Sequence, residues 1–140
     1  MLADRRSPYF DLMLPYPPSL NTGWRCVLGH MVLAKRQRLF RRVTREKVLA
    51  VLADKGTPYA VIGLAPCSVT LTIYPPTKRR YDLDNLAKPV MDALMHAGVM
   101  DDDSQVQHLE IFKGDVLRPT GACFVTVQAL DMTEAPRGQK

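Results

Sequence analysis

Asp82 and Asp84 astride Leu83, then Asp92, then the run Asp101-Asp102-Asp103, place carboxylates in one segment of an otherwise basic chain. Lys78-Arg79-Arg80 and Lys88 frame them. With a formal net charge of +5 over 140 residues, this arrangement combines attraction of a polyanion with capture of a hard cation, the two needs of phosphodiester hydrolysis. Two positions apart on an extended approach to a helix, Asp82 and Asp84 are expected to project to the same side and reach one ion, or two adjacent ones. Mg²⁺ takes oxygen ligands and is commonly held by one or two carboxylates together with waters and phosphate oxygens. A third acid must come from elsewhere. The 101–103 run can supply it if the connection or the next strand folds back toward the helix start, or a partner subunit can supply the reach.

Lys88 lies four residues after Asp84, one turn along the same helix face. There its ammonium could stabilise charge on a phosphate or orient the attacking water. The plainer reading is a surface ion pair with Asp84 worth about 0.3 to 0.5 kcal/mol. For the acids, the plainer reading is Asp84 or Asn85 as a helix N-cap and Asp101 to Asp103 as a solvated loop. On the preceding helix Lys35, Arg38, Arg42 and Arg45 fall at steps of three or four with Arg41 beside them. Five cations on one stripe repel one another and gain little until a polyanion arrives, releasing counterions from its phosphates. Lys78, Arg79 and Arg80 are placed to hold the scissile strand against the acids. Tyr81 could stack on an unpaired base or simply pack.

The elements that must position these groups follow from periodicity. Phe10, Leu12 and Leu14 alternate with Asp11 and Met13 and predict a strand stopped by Pro15-Tyr16-Pro17-Pro18, whose prolines cannot donate to a ladder. Trp24 to Leu28 and His30 to Leu33, hinged at Gly29, predict a hairpin. From Ala34 to Ala53 no glycine or proline interrupts, and Phe40, Val43, Ala50 and Val51 predict the apolar face of a first helix closing near Lys55-Gly56. Cys67, Val69, Leu71 and Ile73 alternate strictly with Ser68, Thr70, Thr72 and Tyr74, a strand that delivers the chain to the acids. Leu83, Leu86, Val90, Ala93, Leu94 and Ala97 predict a second helix stopped at Gly98, its first turn disturbed by Pro89. Val106 to Val116 and Ala122 to Leu130 close the chain as strands, separated by Arg118-Pro119-Thr120-Gly121. Residues 1–140 are expected to form one domain, with residues 1–8 and 131–140 frayed.

Composition excludes several classes. Apolar content of 46% with 24% charged residues is that of a globular protein. No run of about 18 apolar residues and no signal-like apolar core at the N-terminus exist, which predicts a soluble, cytoplasmic protein with no membrane partner. Cys26, Cys67 and Cys123 are odd in number and far apart, without a C-x-x-C pair, and read as small buried apolar residues. His30, His96 and His108 show no mutual ligand spacing.

The string from Arg80 through Asp82-Leu83-Asp84-Asn85, Lys88 and Asp92-Ala93-Leu94, followed by Gly98 and Asp102-Asp103-Ser104-Gln105-Val106, resembles the RusA family of Holliday junction resolvases. Leu14 to Asn21 is similar to that family's opening, so the resemblance runs from about Phe10 to Leu130. It implies an α+β fold with a mixed β-sheet flanked by two main helices. It also implies a homodimer that uses a divalent metal, Mg²⁺ with Mn²⁺ as a substitute, to cut two symmetry-related strands of four-way branched DNA. The essential acids would be Asp82, Asp84 and Asp103, all metal ligands, and the catalytic lysine Lys88; Asp102 is the neighbouring acid of the motif and Asp101 an extra one. Tyr81 departs from the best-known member, which has another arginine there. A phage or prophage setting in DNA recombination and repair is implied as well.

Other classes fit parts of the same pattern. A restriction-type nuclease needs an acid and a lysine separated by one residue on a strand, whereas Glu110 and Lys113 would point to opposite faces. A non-cleaving junction- or duplex-DNA-binding protein would use the stripe of Arg38, Arg41, Arg42 and Arg45 with the acids as caps. An assembly protein would turn that stripe toward an acidic partner chain; steep salt dependence of DNA affinity would argue against it.

Overall fold

The computed structural model describes residues 8–19, 24–27, 30–54, 56 and 60–130. The expected fraying of residues 1–7 and 131–140 and the turn at Leu28-Gly29 lie outside the described residues, as do Leu20 and Asn21 of the opening motif and Lys55 at the expected end of the first helix.

Strand β1 spans Tyr9–Leu14, and its alternation buries Phe10, Leu12 and Leu14. Strands β2 (Trp24–Val27) and β3 (His30–Leu33) pair antiparallel as the expected hairpin, a separate two-stranded sheet. Helix α1 covers Lys35–Ala53, strand β4 Cys67–Tyr74, helix α2 Asp84–His96, strand β5 Val106–Lys113 and strand β6 Ala122–Ala129. The main sheet has the order β1-β6-β4-β5. Its β1/β6 and β6/β4 pairs are antiparallel and its β4/β5 pair is parallel. The sheet is therefore mixed, and β4-α2-β5 is its crossover unit.

Strand β4 shows why that crossover is anchored. Cys67, Val69, Leu71 and Ile73 are fully buried on one face, with half-buried residues between them. Those four share one cluster with Phe10, Leu12 and Leu14 of β1, Cys123, Val125 and Val127 of β6, Phe40 and Val48 of α1, and Leu86, Val90, Ala93 and Leu94 of α2. Both helices thus pack on the same sheet face, and the flanking helices are one layer. Trimming Leu71 to Ala would open a hole in that layer and cost about 2–5 kcal/mol. Burial pushes the Cys123 thiol up to about 12 and raises that of Cys67, so both are packing residues with inert thiols. The side chain of Cys26 lies outside the described residues.

The face of α1 differs from expectation. Gln37, Phe40, Thr44 and Val48 are its buried residues, whereas Val43 and Val51 are half-buried and Ala50 is exposed. Helical geometry puts position 50 about 80° around the axis from Phe40. Two polar residues were invisible to an apolar pattern, and both are satisfied: Gln37 Nε2 donates to Ser19 O at 3.0 Å, and Thr44 Oγ1 donates to Phe40 O at 2.8 Å.

Helix α2 buries Leu86, Ala87, Pro89, Val90, Met91, Ala93 and Leu94. Pro89 lies in its second turn, and the helix continues through it despite the missing donor. The helix ends where Gly98 takes φ +86°, a left-handed conformation open to glycine. Strand β5 stops at Lys113, short of the expected Val116. It is an edge strand, with Leu109 and Phe112 exposed. Among the described residues, no helix is long and apolar enough to cross a membrane.

Candidate active site

Asp82 and Asp84 stand where β4 has handed the chain to α2. Leu83 is the N-cap residue and already has helical dihedrals (φ −61°, ψ −38°), and Asn85 N donates to Asp82 O at 3.3 Å. The approach is therefore a turn, and the extended geometry expected to align the two acids is replaced by a helical start. Neither acid caps the helix, because α2 has no side-chain capping bond at its N-terminus. Both side chains are exposed, and neither has a hydrogen-bond or ion-pair partner among the described residues. Asp84 in the first turn also sits favourably at the positive end of the helix dipole.

The run 101–103 does return to this helix, and the connection makes the return while β5 runs parallel to β4. Beyond Gly98 the chain forms a parallel bridge from Met100 to Gly63, with Ile62 N donating to Val99 O at 2.7 Å and Asp101 N to Gly63 O at 3.3 Å. A 3₁₀ turn, Asp103–Gln105, follows. Buried Gln105 fastens it: Nε2 donates to Gly63 O (2.8 Å) and Ala65 O (2.7 Å), while Oε1 accepts from Asp101 N (2.9 Å) and Asp102 N (2.8 Å). All four hydrogen-bonding valences of that amide are used. Its role had a sequence signal, the D-x-x-Q spacing of a capping box from Asp102, but nothing local revealed the reach to residues 63 and 65.

Asp103 is thereby presented to Lys88, whose Nζ donates to Asp103 Oδ2 at 2.8 Å. The same ammonium lies 3.1 Å from Asp92 Oδ1, and Arg41 of α1 lies 3.8 Å from Asp92 Oδ2. The expected Lys88–Asp84 pair is replaced by pairs with Asp92 and Asp103. Hydrogen bonding to Asp103 first, then to Asp92, raises the Lys88 pKa against the opposing effect of desolvation. Lys88 therefore keeps its charge throughout the neutral range. Asp102 is solvent-exposed, and its carboxyl is held below the ordinary aspartate value chiefly by the Ser104 hydroxyl, which donates to Oδ2. Asp101 is exposed too.

Among the described residues, no three His, Cys, Asp or Glu side chains form a group that could hold a metal ion. Asp82, Asp84 and Asp103 are accordingly not gathered into a finished cage within one chain. Their chemistry still suits a hard divalent cation, because Asp82 and Asp84 offer exposed carboxylate oxygens and such ions complete their shell with water and phosphate oxygens.

The basic residues divide by location. Lys35, Arg38, Arg42 and Arg45 are exposed on the side of α1 away from its buried face, while Arg41 falls between the two and is half-buried where it reaches Asp92. Lys35, Arg38 and Arg42 line one shallow recess with Leu39. Lys78, Arg79 and Arg80 are exposed on the loop before α2, and Arg79 and Arg80 line a second recess with Tyr16, Pro75, Pro76, Thr77 and Tyr81. Tyr81 packs: its ring meets Tyr16 edge-on at 6.5 Å, and Lys113 Nζ stands 4.7 Å from its centroid. His108 pairs with Glu110 at 3.5 Å on β5 and His96 is exposed; both stand outside this cluster, and the His30 side chain lies outside the described residues.

Exposed acids, a held ammonium and a cationic helix thus lie together on an α+β framework. The family model Endodeoxyribonuclease RusA matches residues 15–127. The crossover junction endodeoxyribonuclease rusA of Enterobacteria phage HK97 is 28% identical over 122 residues, covering 87% of this chain and 96% of that protein. Crossover junction endodeoxyribonucleases RusA of Shigella sonnei and Escherichia coli K12 are each 32% identical over 110 residues, 78% of this chain and 86% of theirs. The chain belongs to the RusA endodeoxyribonuclease family.

Proposed function

We propose that this chain is a Holliday junction resolvase that cuts two symmetry-related strands of four-way DNA, acting as a homodimer with Mg²⁺ in the cytoplasm. The observation that carries the reading is the Lys88 ammonium held between Asp103 and Asp92 on the helix that begins at Asp84, two residues after Asp82. An i,i+4 pair alone explains little, but an ammonium drawn to a carboxylate fifteen residues away supports the reading of a built site.

Asp82, Asp84 and Asp103 are the residues that would hold the cation, with Mn²⁺ as a substitute for Mg²⁺. When bound, such an ion acidifies water and balances charge on the phosphoryl oxygens. Around it, Lys88 supplies fixed positive charge for the developing phosphate charge. Lys78, Arg79 and Arg80 hold the scissile strand on the loop before α2, and Arg38, Arg41, Arg42 and Arg45 bind flanking phosphates. A second copy supports the same reading twice over. It sets two sites on opposed strands by twofold symmetry, and it can bring to the exposed acids the reach that one chain lacks. Phage relatives such as that of HK97 support a phage or prophage setting.

Cleavage of a labelled four-way junction, beside linear duplex and single strands and with Mg²⁺ or excess EDTA, tests the reading. Paired symmetric nicks confined to the junction with Mg²⁺ are expected. Junction binding without cutting under every metal condition would instead establish the DNA-binding alternative.

A further inference from the structure

We infer that Asp92 is a positioning residue for Lys88, holding its ammonium at the Asp103 side of α2 and linking it through Arg41 to the DNA-facing helix. The inference rests on the proposed nuclease function.

Three features of the geometry lead to it. Lys88 has two carboxylate partners of different kinds. Asp103 belongs to the 3₁₀ turn and is one of the acids proposed to take up the cation, so its oxygens have a competing use. Asp92 lies one turn along the same helix as Lys88, so its distance is fixed by the helix, whatever binds at Asp103. Its side chain is one-quarter exposed, shielded enough to hold an ammonium yet not sealed from the site.

The order of the pair also weighs against a purely stabilising role. An acid N-terminal to its lysine is the favourable order on a helix, and here the lysine comes first. The pair therefore adds little to helix stability. It does restrict a flexible four-carbon side chain that would otherwise sweep a wide volume of solvent.

Arg41 gives the cluster its second connection. It sits at the margin of the cationic stripe on α1 and reaches the other oxygen of Asp92, at 3.8 Å. One carboxylate thus joins the helix that meets phosphates to the lysine that faces the scissile one. Charge arriving along the stripe is felt at Asp92, and through it at Lys88.

Single-turnover cleavage of a labelled four-way junction at saturating enzyme, with junction affinity and melting temperature measured in parallel, tests the assignment across wild type, D92N, K88M and the double variant. D92N is expected to slow cleavage about 10- to 100-fold, with affinity within about twofold of wild type and an unchanged melting temperature. In the K88M background the same change should alter the rate less than about twofold, because the group it positions is gone. Asp92→Glu, which keeps the charge, should recover part of the rate and covers the case in which D92N folds poorly. Equal slowing by D92N with and without Lys88, or full activity of D92N, overturns the assignment while leaving the nuclease reading in place. A wild-type chain that binds but never cuts the junction removes both.

Discussion

Helices α1 and α2 both carry charge toward solvent, but they use it in opposite ways. On α1, like charges follow one another along an exposed stripe, Lys35, Arg38, Arg42 and Arg45. On α2, unlike charges close on each other: Lys88 on Asp92 and Asp103, and Arg41 reaching across to Asp92. Like charges held in water favour any polyanion that relieves them, whereas a paired cluster in partly shielded surroundings fixes where each charge stands. Under the proposed function, the first arrangement would serve affinity and the second chemistry.

That division predicts separable losses. The largest belongs to Asp82→Asn, nearly isosteric, which should lower junction cleavage on the order of 10²- to 10³-fold. Binding should be unchanged or tighter, since a negative charge near phosphate is removed; parallel loss of binding and cutting would erase the distinction between the two helices. Next in size is Gln105→Leu, which takes away the Gln105 partner of the Ala65 carbonyl and of the Asp102 N–H, leaves Gly63 O with Asp101 N alone, and frees the turn that presents Asp103. It should cost about 2–4 kcal/mol in denaturant unfolding and slow cleavage while sparing the α1 stripe. A variant as stable as wild type would show that the acidic turn is held some other way.

Changes on α1 should act on affinity. With Arg42 and Arg45 both replaced by Ala, the log–log salt slope of junction binding should fall by about 2, with single-turnover cleavage at saturation nearly intact. An unchanged slope would take that helix out of the DNA footprint. Arg41→Gln should produce the smallest and most mixed effect, a slope lower by about 1 with a modest slowing of cleavage. If only one of the two moved, Arg41 would belong wholly to one region and the bridge through Asp92 would carry no coupling.

Much of this was legible beforehand, and the reason is periodicity. Strict alternation over Cys67 to Tyr74 can bury one face only as a strand, and the structure buries that face. The glycine at 98 marked the end of α2 because a left-handed residue is needed there. The face of α1 was less legible, since Gln37 and Thr44 are buried through bonds to Ser19 and Phe40 that no apolar count detects. The plainer alternative for the acids, Asp84 or Asn85 as an N-cap, does not hold either: both have the right chemistry, yet Leu83 occupies the cap position.

By itself the sequence determined which residue types are present and which local elements carry them: acids at the start of α2, a lysine one turn on, a basic stripe on α1, and the motif by which the family is identified. Only the tertiary structure decided with whom Lys88 pairs. Spacing along a helix allowed Asp84 or Asp92, and the choice fell to Asp92 and Asp103 because the bridge at Gly63 and the four bonds of Gln105 carry the acidic turn back beside the helix. Pairwise attraction between charges depends on distance in space, and distances between segments far apart in sequence are set by packing.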